Sequence, residues 1–196
     1  MLNLPRRTTY ADYLATEQNS EKRHEFIDGV IVAMAGGSYE HNAIAARFTT
    51  LFGVRAAAGC LSYNSDQRFW IASTGRGRYS DGSIICGKPA PPAHDDQAAT
   101  NPLVIVEVLS PTSEGHDDGD KRRDFQSLAS PQAYVIAAQD ARLVKVYRRS
   151  ERGDWHHEPE VYQAGESFEL PRLTRAIAVD EIYDGILDAA GRSLLA

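Results

Sequence analysis

The segment Pro102-Leu-Val-Ile-Val-Glu-Val-Leu-Ser-Pro111 constrains the fold more than any other stretch of this chain. Side chains alternate faces along an extended backbone, so Val104, Val106 and Val108 share one side and Leu103, Ile105, Glu107 and Leu109 the other. Both sides are apolar, the pattern of a central strand covered by helices on both faces. Glu107 is the exception. An ionised carboxylate in such a strand is costly unless a cation, a metal or several donors stand beside it.

The elements around that strand can be read from spacing and punctuation. TTYADYLATEQ reads as a short helix with Thr8 or Thr9 as N-cap and Tyr10, Tyr13 and Leu14 at helical spacing. HEFIDGVIVAM reads as a hairpin turning at Asp28-Gly29. After AGGS, the run from Tyr39 to about Ala58 reads as an amphipathic helix with Ile44, Phe48, Leu51 and Val54 along one side, and Gly59 as its stop. The period then shortens to strands: LSYN, QRFWIAS, RYSDGSIIC and PLVIVEVLS. GKPAPPAHDDQAATN reads as a mobile surface loop, and TSEGHDDGD as a polar run into the helix KRRDFQSLA, which turns Phe125 and Leu128 inward. AYVIAA and RLVKVYRR follow as strands about Gln139-Asp140, then a strand near WHHEPEVYQ and a closing helix near VDEIYDGIL. This order predicts an α/β (α+β) domain with a central mixed β-sheet flanked by helices.

Length and composition narrow the class. A chain of 196 residues, 42% hydrophobic and 24% charged, can bury one core without requiring two. We therefore expect one domain over 1–196: a helix and hairpin over 8–35, a core over about 39–150, and strands and a short helix over 151–196. No long uncharged apolar run is present, so no membrane partner is expected, and MLNLPRRTTYADYL lacks an apolar segment of signal-peptide length. A cytoplasmic location is the expectation. Cys60 and Cys86 have no metal-ligand spacing and read as small buried hydrophobes, not as ligands or a disulfide. The net charge of −6 argues against a general nucleic-acid coat protein. It is unevenly distributed, because Lys121–Gly153 carries a balance of +5 and leaves −11 for the remainder. A basic face on an acidic protein is compatible with that split, as are ordinary solvated surfaces.

The strand RYSDGSIIC brings a second carboxylate, Asp81. If it lies beside PLVIVEVLSP, Asp81 and Glu107 become neighbours that repel unless a divalent cation separates them. A hard ion such as Mg²⁺ is held in this way, by one or two carboxylates together with waters and substrate phosphate. Lys121 could bring an ammonium to the same place. Each residue also has a plainer reading: Asp81 before Gly82 as a strand-end or bulge residue, Lys121 beside Arg122 and Arg123 as solvated helix surface. Asp95-Asp96, His156-His157 and Asp117-Asp118-Asp120 read as exposed loop charge. Glu107 resists such a reading and carries most of the weight.

The combination of HEFIDGVIVAM, a helix beginning with His41, SDGSIIC, PLVIVEVLSPTS and a downstream lysine before an aromatic resembles the Uma-type restriction endonuclease family. That bacterial family belongs to the PD-(D/E)xK nuclease-like superfamily. The resemblance spans about Thr9 to Tyr147, and VEVLSPTS is its most specific part. It implies a restriction-endonuclease-like core and a metal site in which Asp81 matches the motif aspartate and Glu107 the motif glutamate. The superfamily's usual lysine would stand at Leu109; the resemblance assigns its role to Lys121, borne on a helix. Glu25 matches an N-terminal acid able to complete the site, and His41 also matches a family position. Ser80 stands where the family has proline, and the usual aromatic pair after the lysine helix is reduced to Tyr134-Val135.

The resulting expectation is an endonuclease dependent on Mg²⁺ (or Mn²⁺) that hydrolyses phosphodiester bonds of nucleic acid, DNA first. Asp81 and Glu107 are its expected metal ligands, Asp81, Glu107, Lys121 and Glu25 its catalytic residues, and Arg142, Lys145 and Arg148 its phosphate contacts. By analogy with other restriction-like nucleases, a homodimer is expected. Two alternatives stand beside it: a catalytically inactive nuclease-fold protein that binds nucleic acid or a protein partner, and a buried Glu107–Lys121 ion pair that only fixes the fold.

Overall fold

The computed structural model describes residues 7–109, 117–187 and 190–193, without the side chains of residues 117 and 118. Helix α1 (Tyr10–Asn19) starts from a reciprocal cap: the Asp12 N–H donates to the Thr9 hydroxyl and the Thr9 N–H to the Asp12 carboxylate. Strands β1 (His24–Ile27) and β2 (Val30–Ala33) form the expected hairpin. Its turn residues Asp28 and Gly29 have φ of 51° and 84°, the left-handed pair that Asp-Gly tolerates best.

Helix α2 (Tyr39–Arg55) is capped by Ser38 and buries Ile44, Phe48, Leu51 and Phe52, each worth ~2 kcal/mol. Val54, expected on that stripe, is 70% exposed. The next residue, Arg55, takes the inward position at i+11 from Ile44. Its guanidinium donates through Nη1 to the Ala176 carbonyl and through Nη2 to the Glu181 carboxylate, while its buried Nε has no hydrogen-bond partner.

The remaining elements are β3 (Cys60–Asn64), β4 (Arg68–Ile71), β5 (Arg76–Tyr79), β6 (Gly82–Cys86), β7 (Ala98–Ala99), β8 (Val104–Leu109), α3 (Asp117–Ser127), β9 (Ala133–Ala138), β10 (Leu143–Arg148), β11 (Glu160–Gln163), β12 (Ser167–Phe168), β13 (Ile177–Ala178) and α4 (Val179–Tyr183). They build a six-stranded mixed sheet in the order β11-β10-β9-β8-β6-β3 and a five-stranded sheet in the order β2-β1-β5-β4-β7, with β12-β13 as a small ribbon. Strand β8 is central, parallel to β9 and antiparallel to β6.

One face of β8 (Val104, Val106, Val108) packs under α2 and α4 with Phe48, Phe52, Ile182 and Tyr183. The other carries Ile105 into a second cluster with Phe69 and Ile71 of β4 and Phe125 of α3. The second cover is thus a helix and another sheet, where helices alone were expected. Glu107 lies on that second face, toward α3.

Three further readings are corrected. RYSDGSIIC is two strands in two sheets: β5 ends at Tyr79 in the smaller sheet, and β6 starts at Gly82 in the larger. Alternation alone cannot show such a switch, because each half keeps a strand pattern. Cys60 and Cys86 form a disulfide, since the β3–β6 register sets them directly opposite. Within the expected surface loop, Ala98–Ala99 adds a strand parallel to β4, and Asp95 is only 5% exposed. Asp95 accepts two 2.8 Å bonds from Arg68 and one of 2.7 Å from Tyr10, which accounts for its burial. His156 and His157 are exposed as expected; Asp120 is exposed too, but on α3, where it pairs with Arg123. Most of TSEGHDDGD and the Ser110–Ser113 half of the signature lie outside the described residues.

Candidate active site

The sheet switch is what delivers Asp81. Continuing the β6–β8 register one step beyond Gly82–Val106 would set Asp81 against Glu107. The ladder instead breaks there: the Asp81 N–H donates to the Val106 carbonyl, and Asp81 Oδ2 accepts the Val108 N–H at 2.7 Å. A carboxylate has replaced a backbone acceptor beside Glu107. His41, in the first turn of α2, brings Nε2 to 3.2 Å from the same oxygen. Burial pushes the Asp81 carboxyl up, but His41, Lys121 and the Val108 N–H outweigh it and hold the group below its ordinary value. The bond to Asp81 in turn raises His41, against burial.

Glu107 is 3% exposed. Its Oε2 accepts a 2.8 Å bond from Lys121 Nζ, while its Oε1 is buried with no hydrogen-bond partner. Burial is the main cause that pushes its carboxyl up to about 8; Lys121 opposes the shift, and Asp81 and Glu25 add to it. Burial pulls the Lys121 ammonium down, but Glu107, Glu25 and Asp81 together hold it above the ordinary lysine value.

Glu25, on β1, lies 3.8 Å from Lys121 Nζ. It is also fastened to β5, accepting a 2.7 Å bond from Arg78 Nη1 and one of 3.2 Å from the Tyr79 N–H. Arg78 continues to α3, where its Nε donates to Asp124 at 2.8 Å.

Glu25, His41, Asp81, Glu107 and Lys121 line one cleft of about 430 Å³, closed on another side by Met34–Ser38 and Gln139. Sequence reasoning assembled these five residues but not Arg78 and Asp124. Its only cue to them was two arginines alternating on a strand otherwise fit for burial, a pattern that calls for buried acidic partners. The expected phosphate contacts do not line the cleft. Arg142 pairs with Asp180 and Arg148 with Glu160. Lys145, however, shares a transverse row with Glu107, through Glu107–Ile136 and Ile136–Lys145 pairing. A larger cleft of about 670 Å³ beside α1 is lined by Glu17, Arg68, Tyr79 and Asp95. Those groups bond to one another, so that cleft holds no buried unpaired atom comparable to Glu107 Oε1.

Among the described residues, no three His, Cys, Asp or Glu side chains form a preformed metal cage. Two hard carboxylates with an unsatisfied buried oxygen fit a cation such as Mg²⁺ that keeps waters and substrate oxygens in its shell, and not a structural zinc.

The sequence pattern of the family described as "Uma2: Putative restriction endonuclease" matches residues 10–180. The chain belongs to this family. Among similar proteins, the Synechocystis sp. "Uncharacterized protein slr1290" is 34% identical over 176 residues, covering 89% of this chain and 90% of that one. A second, "Uncharacterized protein sll1609" of the same organism, is 31% identical over 150 residues, covering 75% and 84%. The crystal structure of "a putative nuclease belonging to DUF820 from Anabaena variabilis" shares the fold at a TM-score of 0.65 and 16% identity, covering 83% of this chain and 90% of that one. Of the departures from the Uma2 pattern, Ser80 is buried and donates to the Gly82 carbonyl within the sheet switch. Tyr134 packs its ring near Phe125 beneath α3. No helix among the described residues is long and apolar enough to cross a membrane.

Proposed function

We propose that the chain is a metal-dependent endonuclease that hydrolyses phosphodiester bonds of nucleic acid, with DNA as the first substrate to test. The observation that carries the reading is Glu107: a buried carboxylate with one oxygen on Lys121 and the other unpaired, lining the same cleft as Asp81. Asp81 and Glu107 would hold Mg²⁺ or Mn²⁺. Such an ion, when bound, activates a water and stabilises charge on a phosphoryl oxygen. Lys121 supplies a donor to the attacking water or to the charge developing on the phosphoryl group. His41 orients Asp81 through Oδ2, as the Val108 N–H does from the strand. Of the three basic side chains on and before β10, the register favours Lys145 as a phosphate contact, because it lies on Glu107's side of the sheet.

The Lys121–Glu107 bond of 2.8 Å favours one competing reading, a buried ion pair that only fixes a nuclease fold without cutting. The two separate in a cleavage assay on supercoiled plasmid and single-stranded DNA with Mg²⁺, Mn²⁺ or EDTA. The proposal expects cutting that needs the divalent ion and disappears in Glu107→Ala. Equal activity in both proteins, or none in either across substrates and metals, would remove it.

A further inference from the structure

Lys121, Glu25, Arg78 and Asp124 form a chain of alternating charge that starts and ends on the same helix. Lys121 Nζ lies 3.8 Å from Glu25 Oε1 on β1; Glu25 Oε2 accepts from Arg78 on β5 at 2.7 Å; Arg78 Nη2 reaches Asp124 Oδ2 at 2.7 Å. Asp124 stands three residues after Lys121 on α3, on the same side of the helix. Arg78 and Asp124 are buried, at 5% and 2% exposure, so neither can relax into solvent. One guanidinium therefore ties the helix that carries Lys121 to two strands of the smaller sheet, while Lys121 itself points across the cleft to Glu107 on the larger.

The geometry points to Arg78 as the positioning residue of the site: by bridging Glu25 and Asp124 it fixes the direction of Lys121, and it assigns Glu25 to this support and not to the metal. The inference rests on the nuclease reading for its effect on catalysis, but the support itself is independent of that reading. Two alternatives are weaker. Arg76 also reaches Asp124, at 3.2 Å, but its other partner is the half-exposed Asp28, and it touches neither Glu25 nor Lys121. Asp124 lacks any bond to Glu25 and can act only through Arg78.

Lysine keeps the charge of Arg78 but has no planar fork to reach two carboxylates on different elements. Arg78→Lys and the control Arg76→Lys are compared with the wild type, with folding checked by circular dichroism and thermal melting. In metal-dependent plasmid cleavage, Arg78→Lys is expected to lose roughly 10²-fold in kcat, with KM changed by less than about threefold, while Arg76→Lys stays near wild type. The second arm needs neither metal nor activity: NMR of ¹³Cε-labelled lysine in the metal-free protein. The chain has Lys22, Lys88, Lys121 and Lys145, and each variant adds a fifth lysine, so the Lys121 signal is assigned in every protein separately, by its loss when Lys121→Arg is added to that same background. That signal is expected to stand apart in wild type and Arg76→Lys and to collapse toward the free-lysine position in a folded Arg78→Lys. A folded Arg78→Lys with an unmoved Lys121 signal overturns the inference, whatever the cleavage result. If the wild type does not cut but the Lys121 signal collapses, the nuclease reading fails and the positioning role stands.

Discussion

Replacing Glu107 with glutamine in the metal-free protein distinguishes a metal site from a structural ion pair by the sign of a stability change. The Glu107 carboxyl is raised from 4.5 to about 8, mainly by burial. The folded protein thus holds this proton more tightly than the unfolded chain. The sign follows: stability is unaffected where both states are protonated, falls as pH rises from about 4.5 to about 8, and levels off above that. At ~1.4 kcal/mol per pH unit the full loss is about 5 kcal/mol. Glutamine mimics the protonated acid at every pH, and Lys121 retains Glu25 and Asp81 as neighbours. In EDTA, Glu107→Gln should therefore match the wild type near pH 4 and exceed it by several kcal/mol, at most about 5, at pH 9. Urea denaturation at both pH values measures this directly, provided the m-values agree. A variant less stable than wild type by about 3 kcal/mol at pH 9 would refute the reasoning and make Glu107–Lys121 a stabilising pair.

Other expectations concern the scaffold. Asp95→Asn takes from the buried Arg68 the carboxylate that pairs with it at 2.8 Å, leaving Glu17 at 3.9 Å, and should cost about 3–5 kcal/mol in chemical denaturation. Burial pushes the Asp95 carboxyl up, but Arg68 and Tyr10 hold it below its ordinary 3.8, so the stability it contributes is present above that pH and is lost as pH falls through the folded value. A wild-type acid limb unchanged by Asp95→Asn would contradict this. Reducing Cys60–Cys86, which closes a loop with a sequence separation of 26, should lower stability by about 3 kcal/mol while leaving the sheet's circular dichroism intact. An unfolding midpoint indifferent to dithiothreitol would argue against the pairing. Thr9→Ala should cost ~1 kcal/mol through loss of the cap on α1, read from the shift in the thermal midpoint.

The parts legible in the sequence were those governed by local rules. The Asp28-Gly29 turn, the cap at Thr9 and the apolar faces of PLVIVEVLSP each depend on a few adjacent residues, and each took the expected form. Glu107 stood out because burial penalises a charge whatever surrounds it. What escaped was decided by partners far along the chain. The break between β5 and β6 leaves no mark on alternation, yet it is what turns Asp81 toward Glu107. Cys60 and Cys86 meet only through strand register, 26 residues apart. Asp95 looked like loop charge because its partner Arg68 lies on a different element, and the Arg78 bridge joins β1, β5 and α3, which no window along the sequence brings together.

In the proposed site Asp81 and Glu107 hold a divalent ion and Glu25 does not. Calorimetric titration of Mn²⁺ into the metal-free protein at pH 8, across wild type, Asp81→Asn, Glu107→Gln and Glu25→Gln, tests it most directly. The prediction is saturable uptake by wild type that is abolished by the first two substitutions and retained, within about threefold in affinity, by the third. No uptake by wild type, or uptake that survives Asp81→Asn and Glu107→Gln, would contradict it.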